Sequence, residues 1–228
     1  MHLPKLHPIS LFLVVIVSCS LLAQNPQLHV PRSRRFPTVF FTSVLWSADP
    51  AYYSIALDSS GTATYESLPA SVGRNGVPYT MEFQVSDRTR RIAFNLAQGL
   101  NYFSGMQNQA IPSPQTTRVH TLAYIDTTFN NQFSYGTSSN ADLEELTSVF
   151  EEVSETFENG RRLVYLQQHD KNALGPELQR LDHETQHRRT REFQALTPIL
   201  RGLVQDQSLG GDVRREAAKL LTLAEGLH

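Results

Sequence analysis

The chain has 228 residues, of which 40% are hydrophobic, and it carries a formal net charge of -2. This hydrophobic content predicts a packed core and excludes a disordered chain. The near-neutral charge argues against a nucleic-acid-binding protein, which usually carries a basic face, and no apolar stretch reaches the roughly 18 residues of a membrane-spanning helix. Because Cys19 is the single cysteine, the fold depends on its core, without an intramolecular disulfide.

The first residues have the pattern of a targeting segment. A short apolar run, I-S-L-F-L-V-V-I-V, occupies residues 9–17, after a start that contains one lysine and no acid, as in a secretory signal peptide. Two cleavage sites remain open. Residues 1–23 form the signal peptide if ordinary cleavage follows Ala23. Residues 1–18 form it if I-V-S-C is a bacterial lipobox, in which case Cys19 is lipidated.

This pattern predicts an exported protein that is periplasmic or extracellular, with an outer-membrane lipoprotein as the second possibility. Its contact with a membrane is then limited to the signal peptide or to a lipid anchor on Cys19. Residues 24–37 contain several prolines and arginines among polar residues, which predicts a flexible leader between the targeting segment and the folded part.

Residues 38–138 are predicted to form an α+β domain. Its clearest element is a hairpin from Tyr52 to Glu66, in which two segments of period-2 alternation flank the turn Asp58-Ser59-Ser60-Gly61. Such a break, made of residues that tolerate a positive φ, is typical of a β-hairpin. The other predicted strands cover residues 38–46, 79–85, 118–125 and 129–135.

A helix is predicted to follow Ser86, whose side chain can accept hydrogen bonds from the free N–H groups of a first helical turn. Apolar residues recur at helical spacing from Ile92 to Phe103, so one side of this helix should pack on the sheet. The predicted fold class is therefore α+β, with a mostly antiparallel sheet and one covering helix, followed by a C-terminal helical segment.

Residues 139–228 are predicted to form a helical domain. A long helix should run from about 141 to 171, with Asn140 as its N-cap and Gly160 as a weak point. Pro198 predicts either a kink or a helix start. The last two helices together resemble a HEAT-type hairpin. The shorter predicted helices cover residues 177–191, 193–204 and 213–227.

Several of these segments carry a resemblance to a family of exported bacterial proteins. They are Y-S-I-A-L-D-S-S-G-T-A-T-Y-E at 53–66, the strand at 79–85 with its helix ending in N-Y-F, and G-R-R-L-V-Y-L-Q-Q-H-D-K-N-A-L-G-P-E-L at 160–178. The chain resembles an uncharacterised family that combines a β-hairpin/helix domain of unknown function with a helical tail. The resemblance implies this architecture and export, and it implies no catalytic residues.

One short catalytic motif occurs, H-E-T-Q-H at residues 183–187. On a helix, His183 and His187 would lie on one face and could share a zinc ion, with Glu184 as the general base. Cationic neighbours such as Arg180 oppose a dication there, and no third ligand is evident in the sequence. An exposed polar helix is the preferred interpretation, and a zinc-dependent metallopeptidase is the alternative.

The sequence therefore predicts a non-catalytic interaction or structural module of the cell envelope. We expect a protein partner in the envelope, no nucleic-acid partner and no cofactor, unless zinc binds at residues 183–187. His120 lies in a strand pattern and is interpreted as an ordinary sheet residue.

Overall fold

A computed structural model of the chain describes residues 36–70, 76–186 and 190–226. The predictions on the signal peptide, on Cys19 and on most of the leader concern residues outside these ranges. Within them the protein has an antiparallel sheet followed by helices, which confirms the predicted α+β class.

The sheet has six strands in the order β4-β3-β2-β1-β5-β6, and every neighbouring pair is antiparallel. The predicted hairpin consists of β2 and β3, and β4 lies at one edge of the sheet. The strands are β1 (Thr38–Val44), β2 (Tyr52–Asp58), β3 (Thr62–Leu68), β4 (Tyr79–Gln84), β5 (Val119–Ile125) and β6 (Asn130–Tyr135).

The hairpin turn is held by the side chain of Asp58. Its Oδ1 accepts hydrogen bonds from the N–H groups of Ser60 at 2.8 Å and Thr62 at 3.2 Å, as Asp side chains commonly do in turns. Gly61 has a φ of 95°, which a residue without a Cβ adopts without strain. The turn thereby fixes the register in which Leu57 lies opposite Ala63.

One face of the sheet forms the larger hydrophobic core. In the register, Phe41 lies opposite Ile55 and Leu122, and Ile55 lies opposite Tyr65. All four side chains are at most 2% exposed. Helix α1 (Asp87–Gly99) and the first half of α2 (Ala141–His169) both pack on this face, so the predicted covering helix has a long neighbour beside it.

Helices α1 and α2 begin where their caps predict. The Ser86 Oγ accepts from the Thr89 N–H at 3.2 Å, and the Asn140 Oδ1 accepts from the Leu143 N–H at 3.0 Å. Helix α2 is continuous through Gly160 and ends at His169, which confirms one long helix. A Cβ on Gly160 would lie 2.7 Å from a methyl carbon of Leu196, so this glycine permits a close helix contact.

The second hydrophobic core joins the end of α2 to the C-terminal helices. Leu163 of α2 packs with leucines and alanines of the three following helices, among them Leu178, Leu200 and Leu220. These helices are α3 (Leu174–Gln186), α4 (Thr197–Gln205) and α5 (Gly211–Glu225). No helix among the described residues is long and apolar enough to cross a membrane.

The structure corrects the predicted end of α3 and decides between the two predictions for Pro198. The predicted extension of α3 to residue 191 is wrong at its last two residues, because Thr190 and Arg191 are not helical, and α3 is described as far as Gln186. Glu192 follows with a left-handed φ of 61°, a conformation that interrupts a right-handed helix. Pro198 lies in the first turn of α4, after a short 3₁₀ turn, so it starts a helix and does not kink one.

Candidate functional site at the edge of the sheet

Strand β4 leaves a row of backbone groups open along its outer side. The Val85 N–H donates to the Gly61 carbonyl at 2.9 Å, so the backbone of Val85 faces β3. Because successive residues of a strand direct these groups to opposite sides, Thr80, Glu82 and Gln84 direct theirs away from the sheet. Within the described ranges no hydrogen bond reaches the outward backbone groups of these three residues.

The opposite edge of the sheet, at β6, is covered. The Gln109 N–H donates to the Ser134 carbonyl at 2.8 Å, and the Asn108 side-chain oxygen accepts from the Ser134 N–H at 2.8 Å. The Gln109 side chain also accepts from the Gly136 N–H at 3.0 Å. The loop before β5 therefore occupies the outward backbone groups at the end of β6, around Ser134 and Gly136, whereas no such loop bonds β4 within the described residues.

A groove of about 760 Å³ runs beside the open edge. We call it the β4 groove. Its floor is apolar, since Met81 and Phe83 are half-buried and pack against the core. Next to β4, Val77 is 88% exposed. The lining residues are Met81, Glu82, Phe83, Gln84, Val85, Ser86, Asp87, Gln194, Ala195, Thr197, Pro198 and Ile199.

A buried carboxylate bonds two residues that line the groove, Ser86 and Gln194. Glu192 is 5% exposed, and its two oxygens accept from the Ser86 N–H at 2.7 Å and from the Ser86 hydroxyl at 2.8 Å. The Gln194 side-chain amide also donates to Glu192. Because the N-terminal end of α1 is electropositive, a carboxylate is stabilised there. Glu192 thus attaches the segment before α4 to Ser86, between β4 and α1.

The rim of the groove is acidic. Glu82 is exposed, and the register places it diagonally across from Glu66, since Thr64 lies opposite Glu82 and Thr80 lies opposite Glu66. In the described part of the chain, neither carboxylate forms an ion pair. No lysine or arginine is among the groove-lining residues, so the rim favours a cationic ligand.

The described residues of the H-E-x-x-H motif, His183 to Gln186, lie on α3, far along the chain from β4. Arg180 donates to one oxygen of Glu184, and Asn159 of α2 donates to the other at 3.3 Å. Arg180 also bonds Glu177 at 2.6 Å and Asn159 at 2.6 Å. This network joins α3 to α2. As a general base, Glu184 would first have to lose its guanidinium partner.

The metal-site part of that prediction is only partly covered by the structure. His183 is placed on α3, whereas His187 lies outside the described residues. Across residues 36–70, 76–186 and 190–226, no three His, Cys, Asp or Glu side chains come together in a way that could hold a metal ion.

A second polar feature is the buried imidazole of His120 on β5. It is 6% exposed and stacks on Phe41, with ring centroids 5.4 Å apart. Burial and the nearby positive charge of Arg118 lower the pKa of His120 from 6.5 to about 4. The Glu151 carboxylate lies 3.9 Å from the Nε2, and burial raises the pKa of this carboxyl group. His120 is thus a buried residue of the sheet whose imidazole is uncharged near neutral pH.

The sequence does not predict the β4 groove, although it predicts the strand and the helices beside it. Its two walls are separated by more than 100 residues in the chain, as the Ser86–Glu192 bond shows. The one local signal was the alternation of Tyr79, Met81 and Phe83 with polar residues, which predicts a half-buried strand but does not tell whether it is an edge strand.

No model of a known protein family matches the chain, and none of the curated protein sequences matches it.

Proposed function

We propose that this protein is an exported, non-catalytic interaction module of the cell envelope, and that it contacts its protein partner through the β4 edge and the β4 groove. The observation that carries the proposal is the open row of backbone groups at Thr80, Glu82 and Gln84 beside an apolar groove. Unpaired edge strands are the usual templates for pairing with another chain.

The groove fits this use in size and chemistry. Its volume of about 760 Å³ falls in the range of roughly 300–1,000 Å³ that is common for ligand sites. Its floor can bury apolar side chains, while the outward N–H and C=O groups can bond an extended backbone, which is how strand addition combines affinity with specificity.

The envelope part of the proposal rests on the sequence. The apolar run at residues 9–17 after a basic start is the pattern of a signal peptide, and the resemblance to exported bacterial proteins agrees with it. A partner met by this protein would then be a periplasmic, extracellular or membrane-attached protein.

A photo-crosslinking residue placed at Thr80 tests the proposal in bacterial cells that export the full chain. The control is the same residue at Gln132, which is also exposed but lies on the β6 edge, where the loop before β5 bonds the nearby Ser134. We expect discrete adducts with envelope proteins from position 80 and none from position 132. Equal labelling from both positions, or no adduct from position 80, would contradict the proposed contact site.

A further inference from the structure

We infer that the β4 groove binds an extended peptide segment in which apolar and cationic side chains alternate, and that this segment adds to the sheet as a seventh strand. The inference rests on the proposed function, since it specifies the ligand class of the same edge. Three independent features of the edge carry it: its backbone groups, its apolar floor and its acidic rim.

The backbone groups define the length and the bonding of the added strand. Thr80, Glu82 and Gln84 each direct one N–H and one C=O outward. The next outward N–H, that of Ser86, is already taken by Glu192. A ligand strand can therefore pair along Tyr79–Gln84 and must end there, so it needs about six residues in the extended conformation.

The apolar positions of the ligand follow from the two faces of β4. Side chains of Met81 and Phe83 point to the core face, and Phe83 packs on Phe157 with ring centroids 4.4 Å apart. Residues of an added strand that lie opposite them point to the same face. Those ligand side chains would also meet Pro198 and Ile199 on the far wall of the groove, so they must be apolar.

The alternate positions of the ligand point to the other face, where the rim is acidic. Glu82 projects there, with Glu66 as its diagonal neighbour. A lysine or arginine opposite Glu82 would form the cross-strand pair that neither carboxylate has within the described residues. Opposite charges directly across two strands are favourable, and like charges are not.

The same acid argues against a second copy of this chain as the occupant. A two-fold antiparallel pairing of β4 with itself, centred on this strand, places the two Glu82 carboxylates opposite each other. Moving the register by two residues leaves them as diagonal neighbours. Like charges at these positions oppose the pairing, as charged residues on edge strands commonly do, whereas a cationic strand turns the repulsion into attraction.

Synthetic peptides test the inference with the folded protein in solution. The probe is a fluorescent, acetylated six-residue peptide of alternating valine and lysine, and its binding is followed by fluorescence anisotropy. Three matched peptides carry glutamate in place of lysine, N-methyl groups on alternate backbone nitrogens, or the same residues grouped into one valine block and one lysine block. We expect saturable binding of the alternating lysine peptide and at least about tenfold weaker binding of the methylated peptide, because several backbone bonds are lost.

Two protein variants locate the site. Glu82→Lys should weaken binding of the lysine peptide by about three- to tenfold and strengthen binding of the glutamate peptide, since it reverses a cross-strand charge pair. Thr80→Pro removes one outward N–H at an edge position where proline is tolerated. It should weaken the binding of the lysine peptide and of the glutamate peptide. Glu145→Lys on the exposed side of α2 is the control for charge alone and should change neither affinity.

The outcomes separate the inference from the proposed function. If the glutamate peptide binds as tightly as the lysine peptide and Thr80→Pro weakens both, the edge is a binding site but the cationic class is wrong. If N-methylation and Thr80→Pro change nothing, strand addition is overturned, while the crosslinks from position 80 still decide the contact site. Concentration-dependent dimerisation that Thr80→Pro abolishes would assign the edge to a second copy and would also overturn the inference.

Discussion

The carboxylate of Glu192 lies against the backbone N–H of Ser86 at 2.7 Å, although the two residues are 106 positions apart in the chain. Glu192 is 5% exposed and holds a left-handed φ of 61°. Its burial at the start of α1 is offset by the hydrogen bonds it accepts and by the electropositive helix end. One side chain therefore joins the C-terminal helices to the edge of the sheet.

Replacing Glu192 by alanine should lower the free energy of unfolding by about 2–4 kcal/mol, because the Ser86 N–H loses its charged acceptor in a buried place. Glu192→Gly should cost about 1 kcal/mol less than alanine, since glycine adopts the left-handed φ without strain. Urea unfolding measures both. The control is Glu225→Ala, which breaks an exposed pair with Arg201 and should cost less than about 1 kcal/mol. Equal losses at positions 192 and 225 would contradict this role.

Gly160 should not tolerate alanine, although alanine favours a helix by about 1 kcal/mol. Its Cβ would lie 2.7 Å from a carbon of the fully buried Leu196 and 3.0 Å from one of Ile199. Overpacking of this kind costs about 1–3 kcal/mol, so we expect a net loss of stability in thermal or urea unfolding. Gly202→Ala in α4 is the matched control, since nothing lies within 4 Å of its Cβ, and it should stabilise the protein. A gain of stability at both positions would contradict this prediction, because it would show that Leu196 moves away from the added methyl group.

Stability should fall as the pH is lowered from about 6.5 to about 4, in part because of His120. The pKa of His120 in the folded protein is lowered to about 4 by burial and by Arg118, so the unfolded chain binds more protons in this window. The contribution amounts to roughly 3 kcal/mol once the pH is below the folded value. Above pH 6.5 the imidazole is neutral in both states, and the penalty vanishes.

Unfolding of His120→Phe at several pH values checks this. The variant should lose much of the acid-induced destabilisation between pH 6.5 and 4 while behaving like the original protein near pH 8, after allowance for a constant packing difference. Burial raises the pKa of Glu151, so protonation of this carboxyl group at acidic pH contributes to stability with the opposite sign. Adding Glu151→Gln to both the original protein and the His120→Phe variant removes that contribution and leaves the effect of the imidazole. Parallel pH curves for the two proteins would contradict the expectation.

Export predicts a defined mature N-terminus. When the full chain is produced in a bacterial host with a C-terminal tag, we expect the exported protein to begin at Gln24, and Cys19→Ala to leave its mass and location unchanged. Intact-mass measurements on fractionated cells determine both the mass and the location of the protein. An acylated product that begins at Cys19 would decide for the lipoprotein alternative, and an uncleaved chain retained in the cytoplasm would contradict export.

The local elements of this fold could be predicted because their causes are local. The alternation around Asp58–Gly61 and the caps at Ser86 and Asn140 each depend on residues within a few positions. The left-handed conformation of Glu192 could not be predicted, because its side chain is held by Ser86, 106 positions away in the chain. The ion pair of Arg180 with Glu184 is an i, i+4 pair that the sequence does contain, and it is a plainer explanation of the charges around the H-E-x-x-H motif.

Helix α2 contributes side chains to both hydrophobic cores, with Phe150 and Phe157 in the first and Leu163 in the second. Unfolding of the sheet or of the C-terminal helices would therefore remove apolar contacts from the other part as well, because both pack against the same continuous helix. Heat or urea should consequently melt the sheet and the C-terminal helices in a single transition, and a ligand that stabilises the strand edge should raise the melting temperature of the helical tail as well.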